Sequence, residues 1–122
     1  MKYRLDRARE TFSEAEILLA EQKLFATVNR LYYAAFYAIS AYFVQQELKA
    51  FTHAGLKNAF NKELILSGKI DPEEGRLFNQ LFSFRQDADY KDFVQFEHEQ
   101  VIGLVPKVKI LIDHLEELIV GN

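Results

Sequence analysis

The chain of 122 residues contains no cysteine and no tryptophan, and only two prolines, five glycines and three histidines. Without cysteine there is no disulfide framework, thiolate zinc site, iron–sulfur cluster or cysteine nucleophile. The histidines, His53, His98 and His114, are too scattered for a metal motif, so no metal and no cofactor is expected. So few proline and glycine breakers favour long helices over a strand-rich fold. Excess positive charge is also missing: the net charge is −3, which excludes a surface built to coat nucleic acid. Residues 69–99 are acidic, with eight acids against four bases, whereas the first ten carry Lys2, Arg4, Arg7 and Arg9 against Asp6 and Glu10. A local basic cleft is compatible with that balance. A globally basic face is not.

Long apolar runs are absent too. The opening Met1-Lys2-Tyr3-Arg4-Leu5-Asp6 does not resemble a signal peptide. The longest uncharged stretch, 31–46, holds four tyrosines and falls short of the ~20 residues that span a bilayer. A soluble, cytoplasmic protein with no membrane partner is the expectation.

What the chain has in quantity is apolar residues, 49 %, among them eleven Phe and six Tyr. Its length suits one domain over 1–122, burying roughly two-thirds of the unfolded chain's surface. Leu5, Ala8, Phe12, Ala15 and Leu19 recur three and four apart, which predicts a helix over about 2–22. The next, over 24–47, is apolar nearly all round and so belongs at the centre of the domain. Thr52 is the N-cap expected for a third helix running to Leu66, stopped by Ser67-Gly68. Asp71-Pro72-Glu73-Glu74 opens a fourth, with proline at the first position and acids on the positive end of the dipole. Residues 91–96 read as irregular, and a last helix spans 97–120, with Pro106 expected to kink or break it. The fold class is an all-α, up-and-down bundle of four to five helices.

Three places on this frame offer chemistry. In Arg85-Gln86-Asp87-Ala88-Asp89-Tyr90, Arg85 and Asp89 are four apart and share a helix face. They make either an ordinary ion pair or a phosphate-binding fork that Asp89 orients. Asn29, Tyr33, Tyr37 and Ser40 form a polar stripe on the oily second helix. Buried amides and hydroxyls need partners, so the stripe either packs against polar groups or lines a cleft where aromatic faces stack on bases. His53, beside the Thr52 cap, is either a local hydrogen-bonding residue or a proton carrier; His98 and His114 look peripheral. No P-loop, dinucleotide-binding glycine pattern or serine elbow occurs.

Asn29-Arg30-Leu31-Tyr32-Tyr33-Ala34-Ala35-Phe36-Tyr37-Ala38, Thr52-His53-Ala54-Gly55 and Arg85-Gln86-Asp87-Ala88-Asp89-Tyr90, in that order, resemble the successive signatures of the HEPN superfamily. They are closest in pattern to its small bacterial and archaeal branch with an Arg-x-x-x-Asp-Tyr motif, and the likeness covers roughly residues 5–120. The resemblance implies a homodimer with a shared cleft, a toxin–antitoxin or defence setting, and a minimal nucleotidyltransferase partner. Active members are metal-independent endoribonucleases that pair an arginine with a histidine four to six residues later. Arg85 matches that arginine, but positions 89–91 are Asp, Tyr and Lys, and the next histidine, His98, stands thirteen residues on. Asn29 matches a cleft-facing polar position.

The expected site is therefore Arg85 with Asp89 and Tyr90 for any catalysis, and Asn29, Tyr33, Arg85 and His53 for RNA or nucleotide binding. Binding without cleavage, a divergent endoribonuclease, and a structural interaction module with no nucleic-acid role are the three functions open at this point.

Overall fold

Helix α2, Leu24–Gln45, is the axis around which the other elements gather. The computed structural model describes residues 2–47, 52–90 and 95–121, with all their side chains except those of residues 2 and 88–90. Around α2 pack α1 (Lys2–Ala20), α3 (His53–Phe60), α4 (Pro72–Tyr90) and α5 (His98–Val120). Among the described residues there is no strand, and no helix is long and apolar enough to cross a membrane. The all-α bundle expected from the sequence is the fold.

Position at the centre follows from composition. Twelve residues of α2 are buried, on nearly every side, including Leu31, Tyr32, Ile39 and Phe43. Burying each large side chain contributes about 1.5–3 kcal/mol, so a helix with this pattern is stable only when sheathed. Ala8, Phe12 and Ala15 of α1 lie against it, and Phe78 of α4 stacks on Tyr32 with ring centroids 5.6 Å apart. The far side is closed by Arg9 of α1, which bonds Asp113 at 2.8 Å and Glu116 at 2.6 Å on α5.

Helix ends depart modestly from the periodicity. α1 stops at Ala20 because Gln22 turns left-handed (φ 59°), letting the Gln22 and Lys23 amides bond the Leu19 and Leu18 carbonyls at 2.9 Å. This is a Schellman closure made without glycine. The predicted third helix becomes α3 followed by a π-helical stretch, Asn61–Ile65, in which the Leu66 amide reaches back five residues to Asn61. Gly68, at φ +83°, makes the expected stop, and the Asp71 carboxylate accepts from the Glu73 amide at 2.8 Å ahead of α4.

Pro106 neither ends nor divides α5, which runs unbroken through it. The reason is its side: Pro106 and Ile102, whose carbonyl loses its donor, both face solvent, where water replaces the missing bond. Of the stretch expected to be irregular, 95–97 has no regular structure and 91–94 lies outside the described residues.

Candidate nucleic-acid interface

The face of α2 between Asn29 and Tyr37 meets the start of α3 and the last turns of α4. The Thr52 hydroxyl accepts from the Gly55 amide at 2.9 Å, which fixes the first turn of α3 and places His53 at its opening position. From there the imidazole reaches α2: its Nδ1 lies 2.8 Å from the Tyr32 hydroxyl, and its ring sits 4.6 Å from Phe36 and 5.8 Å from both Tyr32 and Tyr33. Arg85 arrives from α4. Its Nε donates to the Tyr33 hydroxyl at 3.2 Å, and its guanidinium carbon stands 5.5 Å from the Tyr32 ring and 5.7 Å from the Tyr33 ring. Arg85 and His53, 32 positions apart in the chain, thus converge on one tyrosine pair.

Burial sorts the members of this cluster. Tyr32 is fully buried, whereas Tyr33, His53 and Arg85 are half-buried and retain a solvent-facing part. Desolvation pushes the Tyr32 phenol well above its ordinary range, against the pull of the nearby Arg85 charge, with Tyr33 adding a smaller push upward. Tyr32 is therefore neutral at physiological pH. Either the Tyr32 hydroxyl donates to a bare His53 Nδ1 or a protonated Nδ1 donates to the phenol oxygen, and both arrangements hold the ring in place. A guanidinium on aromatic faces is oriented with little loss of rotamer freedom on binding.

Asn29 joins the cluster one step removed. Its side-chain oxygen accepts from Arg30 Nη2 at 2.8 Å and Nε at 3.2 Å, and this seats the Arg30 guanidinium 5.3 Å from the Tyr33 ring centroid. Arg7 of α1 lies the same distance from the Tyr37 ring, which neighbours Tyr33 at 6.1 Å. Of the polar stripe, Ser40 alone is buried, so its open part ends at Tyr37.

The structure accordingly brings Tyr33, His53 and Arg85 together and sets Asn29 beside them through Arg30. Asp89 and Tyr90 belong to the last turn of α4, but their side chains lie outside the described residues, so their proposed roles have no geometry here. Sequence reasoning did not single out Tyr32, Arg30 or Arg7 as site residues; of the two arginines, Arg30 was the more legible. The three-residue spacing of Arg30 and Tyr33 on one helix carried a signal for it. Nothing local links Arg7 to Tyr37, because that contact depends on how α1 packs on α2. Among the described residues no three His, Asp or Glu side chains gather to hold a cation. A concavity of about 370 Å³ between α4 and α5, lined by Glu73, Leu77, Lys107 and Ile110 among others, is separate from the cluster.

The described helices form an all-α bundle whose central helix seats arginines on tyrosine faces, which defines a class of helical-bundle domain. The chain belongs to the HEPN family, whose domain matches residues 1–118. It is 38 % identical over 119 residues to a UPF0332 protein of Thermotoga maritima, covering 98 % of this chain and 90 % of that one. A Methanocaldococcus jannaschii protein named "Putative toxin MJ0142" is 25 % identical over 118 residues, 97 % of this chain and 80 % of its own. A UPF0332 protein of Gloeobacter violaceus is 30 % identical over 86 residues, covering 70 % and 68 % of the two chains.

Proposed function

We propose that this chain is the HEPN component of a toxin–antitoxin or defence module. In this reading two copies form a cleft, Arg85 grips an RNA or nucleotide phosphate there, and a minimal nucleotidyltransferase is the partner. Family membership and the relative bearing a toxin's name support the setting. The observation that carries the chemistry is the seating of Arg85 on Tyr32 and Tyr33, half-exposed and aimed by its bond to the Tyr33 hydroxyl. A planar, permanently charged fork held this way is suited to phosphate oxygens.

A second reading, metal-independent endoribonuclease, is favoured by His53. Cleavage requires a group that accepts the 2′-hydroxyl proton near neutral pH and a cation that stabilises the crowded phosphorane. In the family the histidine follows the arginine on the same helix; here residues 89–91 are Asp, Tyr and Lys. His53 reaches the tyrosines that seat Arg85 from a different helix and supplies the missing type of group. The 2′-oxygen then attacks the adjacent phosphorus as its proton passes to the imidazole. The 5′-oxygen departs with a proton taken from water, leaving a 2′,3′-cyclic phosphate, and the imidazolium returns its proton to solvent.

Incubating labelled single-stranded RNA with the protein in EDTA tests both readings. Cleavage that His53→Ala and Arg85→Ala each reduce at least about 100-fold supports the enzyme, within the usual contribution of general acid–base catalysis. Binding lost in Arg85→Ala, with no cleavage by the unaltered chain, supports the binding component. Neither binding nor cleavage refutes both.

A further inference from the structure

We infer that an RNA strand held at Arg85 continues across α2 to α1, along a track of three guanidiniums, those of Arg85, Arg30 and Arg7, seated on Tyr33 and Tyr37. This inference rests on the RNA reading above and names the path of the strand beyond Arg85.

The track is continuous in space though drawn from three helices. Arg85 and Arg30 approach the Tyr33 ring at 5.7 and 5.3 Å, Tyr33 and Tyr37 are 6.1 Å apart, and Arg7 approaches Tyr37 at 5.3 Å. Each of these five side chains is half-buried, so each is held by its neighbours yet keeps a face toward solvent.

Charge bookkeeping separates Arg7 and Arg30 from a purely structural arginine. Arg9, two residues from Arg7, is consumed by carboxylates at 2.6 and 2.8 Å. Arg7 and Arg30 instead hold Glu10 and Glu14 at 3.8 and 3.6 Å, beyond good hydrogen-bond reach, and partly solvated pairs of that kind contribute little. Their firm contacts are with tyrosine rings and, for Arg30, the Asn29 amide. Aromatic and amide neighbours position a guanidinium without neutralising it. Such a group offers edge N–H donors to phosphate and an outer planar face to a base.

An alternation of cations and aromatic rings fits a single-stranded polyanion with open bases. Paired RNA hides those faces, and a lipid surface has no bases to stack. A chain with net charge −3 needs its positive groups concentrated to hold RNA at all, and this face concentrates three.

The test uses the full-length chain and a fluorescent oligouridylate carrying 2′-O-methyl groups, which binds but cannot be cleaved. Anisotropy is followed between about 50 and 200 mM salt, where three phosphate contacts to a single strand give a log–log slope of about −2. Arg7→Gln is expected to weaken binding by about three- to five-fold at fixed salt and to flatten the slope by about 0.7. Tyr37→Leu, which frees Arg7 without changing charge, should also weaken binding. Lys62→Gln, the same loss of charge outside the track, should match the unaltered chain. If Arg7→Gln behaves like Lys62→Gln while the unaltered chain binds, the track is wrong and the Arg85 reading stands. If the unaltered chain ignores RNA, whether or not it binds phosphatidylserine vesicles, the track and the RNA reading fall together.

Discussion

Glu74 places a carboxyl where the fold favours a neutral group. It lies in the first turn of α4, 9 % exposed, with one carboxylate oxygen 2.5 Å from His114 Nδ1 and the other buried with no hydrogen-bond partner among the described residues. Burial pushes its carboxyl up, the charge and hydrogen bond of His114 pull it part of the way back, and Asp71 adds a smaller push upward. A raised carboxyl favours the protonated form in the folded state. Its stabilising contribution is complete below the ordinary value of 4.5 and is lost as pH rises through the folded value. At neutral pH the native chain therefore bears a penalty that Glu74→Gln removes. That variant should melt at a higher temperature than the unaltered chain at pH 7, and the gain should vanish near pH 4. Calorimetric melts at the two pH values check it; a variant less stable at pH 7 would mean that the pair with His114 outweighs the burial. The sequence showed Glu74 only as an acid suited to a helix start. Its burial requires His114, 40 positions away, to come alongside.

At the scale of elements, Thr52 ties a local signal to the candidate site. It was legible as a cap because a hydroxyl before a helix satisfies one orphan amide, and the structure has that bond. The same cap sets where His53 begins its turn and hence its contact with Tyr32. Thr52→Ala should cost about 1 kcal/mol of stability. Any RNA cleavage should fall by more than that loss explains, and Thr52→Ser should restore both. Paired melting and cleavage assays separate these effects; activity unaffected by Thr52→Ala would detach His53 from the chemistry. The Gly68 stop and the Asp71-Pro72 start were legible for the same local reason. Less local features escaped. The π-helical stretch after α3 left no signature in spacing, and the unbroken passage of α5 through Pro106 depends on which side of the helix faces water.

For the whole molecule, the sequence was informative about the bundle because α2 is too apolar to be anything but its centre. It was partly informative about the site. Arg85, Tyr33, His53 and Asn29 could each be singled out by residue type and neighbours, but their convergence belongs to the packing of α2, α3 and α4. The proposed assembly extends beyond one chain. One native purification examines it: the protein should elute at about twice its 14.2 kDa and bring down a minimal nucleotidyltransferase. A monomer without a partner would rule out the shared cleft. The proposal that Arg85 is the anion-binding centre of an RNA-directed domain is decided by titrating the uncleavable oligouridylate into the unaltered chain, Arg85→Lys and Arg85→Ala. Binding should weaken at least about ten-fold in Arg85→Ala, with Arg85→Lys between because it keeps the charge and loses the fork. Equal affinity in all three would contradict it.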